Sequence, residues 1–253
     1  MLARADRIVA SASPFDPATT RRRFTIGAPD GVSLVILGPL LDLLKRAAPG
    51  IDISLRLLMP EFRGRADAQV WQSAFADLDA RAVDLAVLPI SEVPPRFVMR
   101  KLYDENFVVV MRKRHPYARN PGLDEFCRMR HVLVSFIGDP HGFVDLLLAE
   151  RGLSRRVVLT VPSFMMALSQ VAESDLVAAV PRQLVKRYAA RFDLVAAELP
   201  MLRPPDPLNV VATNAAMMDH GVAWLLERLV ECVAPSPEYR DRRRGSRKIS
   251  AKT

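Results

Sequence analysis

The chain has 253 residues, half of them hydrophobic, and a formal net charge of +8. That length suits one large domain or two small ones, and no apolar run reaches the roughly 18 residues that a membrane-crossing helix needs. The two cysteines, Cys127 and Cys232, lack metal-type spacing and point to a reducing, cytosolic setting with two buried thiols rather than a disulfide scaffold.

The excess charge sits at the ends. Arg240–Thr253 carries seven basic residues against one acid, and Met1–Arg23 five against two, so the stretch between them is close to neutral. A nucleic-acid-binding core is therefore not indicated, and residues 236–253 read as a basic, disordered tail.

Taken in order, the N-terminus has no apolar h-region and carries Asp6, so it is not a secretory signal. Leu2, Ile8 and Val9 predict the last turns of a helix over 2–11, broken by the prolines of SPFDPATT. RFTIGA predicts a strand, and a helix then opens at Asp30, whose carboxylate suits an N-cap. That helix should run toward Ala48, kinked or restarted at Gly38-Pro39 because proline removes an internal hydrogen bond. IDISLRLLM alternates as a strand does, a helix is expected around 66–80, and AVDLAVLPI has the continuous apolar run of a buried parallel strand. Two strands follow, the stronger being NFVVVM. After them come a short helix, a strand ending at Ser135, and the helix HGFVDLLLAERGL stopped by Gly152. RRVVLTV is a strand, PSFMMALSQVAES a helix capped by Ser163, DLVAAVP a strand and RQLVKRYAARF a helix. DLVAAELP and PLNVVAT are strands, and Asp219 caps a last helix with one apolar stripe, Val222, Leu225, Leu226, Leu229, Val230 and Val233. The alternation predicts an α/β fold with largely parallel sheets, in two lobes joined by two crossing strands.

RRFTIGAPDGVSLVILGPLLDLL, AVDLAVLP, LYDENFVVVMRKRHPYA and RRVVLTVPSFMMALSQVAESDLVAAVPRQL, with DHGVAWLLERL near the end, resemble the effector-sensing domain of LysR-type transcriptional regulators. HVLVSFIGDPHGFVDLLLAERGL looks most like the branch of nodulation and aromatic-catabolism regulators. The resemblance implies two Rossmann-like lobes in a periplasmic-binding-protein-like (type 2) fold. Residues 1–22 would be the end of a linker helix and a connection, 23–107 with 209–235 lobe I, and 108–208 lobe II. It further implies a small effector between the lobes, a homodimer or tetramer, and no cofactor. DNA would be read only through a helix-turn-helix that this sequence does not contain, so the sequence reads as the sensor without its DNA reader.

In open α/β sheets ligands sit beyond the C-terminal strand ends, where helix N-termini favour anions. The turn Ala28-Pro29-Asp30-Gly31 lacks the glycine spacing and lysine of a phosphate loop. The resemblance places it across a cleft from Pro162, Ser163 and Phe164, with Ser135, His141 and Gly142 on a third loop. Ser163 would donate a hydroxyl, Phe164 would stack on a ring, and His141 would donate or accept. Asp30 either caps its own helix or selects a neutral or phenolic ligand. Each also has an ordinary reading: caps for Asp30 and Ser163, core for Phe164, a turn for His141. The paired methionines Met165-Met166 and Met217-Met218 read as core filler, and Arg112-Lys113-Arg114 as a solvated face. With no GxSxG, HExxH or Walker loop, and nothing to orient a base among Ser135, Asp139 and His141, no catalytic residues are expected.

Overall fold

The computed structural model describes residues 15–61 and 69–233. The expected helix over 2–11, the first part of the 66–80 helix and the basic tail lie outside these residues.

The first sheet holds β1 (Arg22–Ala28), β2 (Ile51–Leu57), β3 (Leu85–Pro89), β4 (Phe97–Glu105) and β10 (Asp206–Thr213) in the order β2-β1-β3-β10-β4. β1 runs parallel to β2 and β3, while β10 is antiparallel to β3 and β4. Helices α1 (Asp30–Ala47) and α7 (His220–Val233) cover one face, and α2 (Gln72–Asp79) covers the other. The sequence dictates this layering. Ile36, Leu40 and Leu44 recur at helical spacing on α1, and Leu225, Leu226 and Leu229 do so on α7; all are buried with Phe24, Ile26 and Ala28 of β1. Trp71, Phe75 and Leu78 meet Ala86, Leu88 and Phe97 from the opposite side. β3 is thus buried on both faces, which its unbroken apolar run requires.

The second sheet holds β5 (Phe107–Arg112), β6 (Arg130–Val134), β7 (Arg156–Val161), β8 (Leu176–Pro181) and β9 (Leu194–Glu198) in the order β7-β6-β8-β5-β9. β6 is parallel to β7 and β8, and β5 antiparallel to β8 and β9. Both sheets have the same plan: an edge strand, two further strands parallel to it, an antiparallel strand arriving from the other half of the chain, and a last strand at the far edge. Val108 and Val110 of β5 point into a cluster with α5 (Phe164–Ala172) and α6 (Arg182–Tyr188). Val109 and Met111 point to the other side, toward Phe126 of α3 (Leu123–Arg128) and Val144 and Leu148 of α4 (Phe143–Ala149). The chain crosses between sheets through Asn106 and again between β9 and β10; β5 and β10 belong to different sheets and do not pair.

Local expectations need several corrections. α1 does not restart at Gly38-Pro39 but continues through Pro39 as one helix. α2 starts only at Gln72, after a single 3-10 turn at Gln69–Trp71. Cys127 and Cys232 are part-buried rather than enclosed, and burial pushes the Cys232 thiol up to about 11. Met165 and Met217 pack on the two cores, but Met166 and Met218 are exposed. The basic cluster keeps its solvated face, with Lys113 and Arg114 exposed and Arg112 and Lys113 in surface pairs with Asp175 and Asp193. The caps hold: Gly221 and Val222 donate to Asp219 Oδ1 at 2.8 and 3.3 Å, and Gly152 ends its helix at φ 66, the left-handed conformation glycine tolerates.

Candidate functional site

The two lobes meet along α1. Asp30 is the first residue of that helix, and the capping position belongs to Pro29, whose carbonyl accepts from Ser33 N–H at 2.9 Å. The expectation that Asp30 caps its own helix is wrong. Its Oδ2 accepts the backbone N–H of Phe164, the first residue of α5 in the other lobe, at 2.7 Å. The physical reason is competition for one carboxylate: Phe164 N–H has no acceptor inside its own helix, whereas Pro29 O and Ser33 serve each other locally. Burial raises the Asp30 carboxyl above its usual range, and the Phe164 N–H opposes that rise.

Gly31 is buried beside Asp30 and gives room to the Phe164 ring. A Cβ there would lie 2.9 Å from Phe164 Cδ2 and Cε2 and 3.4 Å from Pro181 Cγ. Ser163 is the N-cap of α5, its Oγ accepting from Met166 N–H at 3.2 Å, and Pro162 precedes it in an exposed position. The structure therefore brings Asp30 and Gly31 against Phe164, with Pro29 and Ser163 as the preceding residues on the two sides. It does not bring Ser135, His141 or Gly142 into hydrogen bonds with the first lobe among the described residues. Ser135 N–H donates to Val161 O at 2.8 Å, extending the β6–β7 pairing. His141 is exposed, and its N–H and Nδ1 meet Asp139 Oδ1 at 2.9 and 3.0 Å. Gly142 caps α4 and donates to Asp145 Oδ2 at 2.8 Å.

Further along α1, Tyr188 Oη donates to Leu34 O at 3.2 Å and Arg187 Nη1 to Val35 O at 3.4 Å. Leu34 and Val35 pack on the core of the second lobe. At the crossover, the buried Glu105 accepts from Asn106 N–H at 3.0 Å and from Gln183 N–H at the start of α6 at 3.2 Å. Burial pushes its carboxyl up to about 7, outweighing those bonds, the Arg182 N–H and the nearby Lys186 charge. The adjacent Tyr103 hydroxyl is buried without a partner, and its pKa is raised by burial and by Glu105.

Behind the Ser135–Gly142 loop lies a second cluster. Arg155, its side chain 1% exposed, makes a two-pronged bond to Asp145 at 2.8 and 2.9 Å. Burial alone would raise Asp145, yet Arg155 and the Gly142 N–H hold it below its usual value. His131 is fully buried, its Nε2 2.8 Å from Phe126 O, and burial with the Arg155 charge lowers it to about 4. Arg203, in the second crossover, lies over the rings of Phe107 and Phe143 at 5.3 and 4.6 Å and pairs with Asp206. Sequence reasoning missed Glu105, Arg155 and Arg203, since each is defined by partners from other elements. Among the described residues no group of three or more His, Cys, Asp or Glu is placed to hold a metal ion, and no helix is long and apolar enough to cross a membrane.

Two crossovers, matched sheets and a contact between helix N-termini of opposite lobes describe a two-lobed α/β domain. The model of the LysR substrate binding domain matches residues 17–233. The chain belongs to that family. It is 31% identical over 218 residues to the HTH-type transcriptional activator NagR of a Ralstonia species, and 30% identical over 218 residues to NahR of Pseudomonas putida. Each match covers 86% of this chain and 69% of the relative. The crystal structure of the regulatory domain of MexT, a transcriptional activator in Pseudomonas aeruginosa, superposes with a TM-score of 0.69 at 27% identity, over 85% of this chain and all of that domain. The fold is accordingly the periplasmic-binding-protein-like type 2 arrangement of LysR regulatory domains, and the chain is the effector-binding part of such a regulator.

Proposed function

We propose that this domain binds a small aromatic or carboxylate-bearing effector at the junction between its lobes, turns nothing over, and passes the resulting lobe arrangement to the DNA-reading part of a regulator. The observation that carries this reading is the meeting of Asp30 and Gly31 with Phe164. Helix N-termini supply N–H donors for an anionic group, the Phe164 ring supplies a stacking face, and both sit beyond strand ends where α/β folds bind ligands. Ser135, His141, Gly142 and Pro162 complete the proposed lining. The named relatives, transcriptional activators, support a regulatory rather than catalytic role. The domain works as a dimer or tetramer. Supporting this are exposed apolar side chains on both lobes, Leu41, Leu55, Leu57 and Met59 on the first and Leu146 and Met166 on the second. On α1, Leu34 packs on the second lobe of the same chain, which leaves Leu41 as the exposed apolar side chain of that helix.

A ligand screen by thermal shift tests the reading, since a compound at 100 times its Kd stabilises by about 2.7 kcal/mol. Phe164→Ala and Ser163→Ala should weaken any hit several-fold. Hits indifferent to both substitutions would remove the site from this junction, and a compound recovered chemically altered would overturn the non-catalytic reading.

A further inference from the structure

We propose that Asp30 is a latch: its carboxylate is a built-in ligand that holds the two lobes together at the place where an effector is to enter. This rests on the effector reading of the junction, but its structural content is independent of any ligand. α5 opens with Phe164 N–H free, because Ser163 Oγ is committed to Met166 N–H. The acceptor comes from the other lobe, 134 residues away in sequence, at 2.7 Å. Asp30 has turned from its own helix to provide it, leaving Pro29 O and Ser33 to close the first turn of α1.

The shape around the bond agrees. Gly31 lies so close to the Phe164 ring that any side chain there would hold the lobes apart. Gly38, two turns on, faces the Arg187 guanidinium: a Cβ there would overlap Nη2, so the end of that long side chain would have to swing aside. Two glycines on one helix face therefore admit two side chains of the opposite lobe.

The junction has a second trans carboxylate, Glu105, but it precedes the crossover by one residue and sits on the pivot. Its bond to α6 survives a rotation about Asn106. β1 and the turn carrying Asp30 are separated from β10 by β3 in the sheet order, so the Asp30 bond lies off the pivot and breaks when the lobes part. An effector whose anionic group takes the Phe164 N–H has to evict Asp30. In its absence, the latched arrangement persists without ligand.

Hydrogen exchange at the Phe164 amide, with small-angle scattering of the same samples, tests this. Asp30→Ala should exchange that amide roughly tenfold faster than the parent chain and enlarge the radius of gyration. Asp30→Asn, which keeps an acceptor oxygen, should stay within a few-fold of the parent. Equal protection in Asp30→Ala and the parent overturns the latch. Should Asp30→Ala fold poorly, Gly31→Ser leaves the carboxylate intact and wedges the junction from the other side; it should lose the same protection, and retained protection there is equally fatal. Because no ligand enters the experiment, a latched chain that binds no compound removes the effector reading alone.

Discussion

Replacing Glu105 by glutamine separates the cost of burying a charge from the value of the hydrogen bonds that charge makes. Burial raises this carboxyl from 4.5 to about 7, despite N–H donors from Asn106 and Gln183 and the charge of Lys186. A carboxyl whose folded pKa lies above its unfolded one favours folding while it is protonated in both states. Relative to that reference, stability is fully present below pH 4.5 and is lost as pH rises through about 7. The whole loss, from the ratio of the two ionisation constants, is roughly 3 kcal/mol at pH 8. Glutamine keeps an oxygen for the two N–H groups and carries no charge. The Glu105→Gln chain should match the parent near pH 4.5 and exceed its stability by about 1–3 kcal/mol at pH 8, a rise of several degrees in Tm for a chain of this size. Urea unfolding of both proteins at a series of pH values reads the difference directly. A glutamine variant that is less stable than the parent at pH 8 would refute the reasoning: the ionised bonds to the start of α6 would then outweigh desolvation. Glu105→Ala, which also carries no charge but abandons the N–H groups, should be less stable than Glu105→Gln by about 1–3 kcal/mol at every pH.

Arg155→Met strands the part-buried Asp145 and frees the Gly142 loop, so chemical denaturation should show a loss of about 3–5 kcal/mol; in any variant that remains folded, the His131 pKa followed by NMR should climb from its lowered value as the neighbouring cation goes. Gly152→Ala forces a side chain into φ 66 and should cost roughly 1–2 kcal/mol, measured by thermal melting, with no effect on association. Leu57→Lys, on the exposed edge strand β2, should shift sedimentation at tens of micromolar toward monomer, and an unchanged distribution would move the interface elsewhere.

What the sequence determined by itself is whatever depends on neighbours a few residues away. The alternation of Phe24, Ile26 and Ala28, the unbroken run of β3 and the helical spacing of Ile36, Leu40 and Leu44 each mark which faces must leave water, and the two-layer coverage of both sheets follows. Ser163 and Asp219 could be recognised as caps because the N–H groups they serve lie two or three residues on. Asp30 satisfies the same local rule and breaks it. Its oxygen had two candidate donors, one in its own turn and one 134 residues distant, and only the approach of the lobes decides between them. Glu105 stands in a strand with nothing in its flanks to mark it, and Arg155 looks like any basic residue before a strand. Their character comes from the water removed around them when α6 docks on the crossover and when the Asp145 turn closes over Arg155. Desolvation is a property of packed surfaces, and no spacing along the chain encodes it.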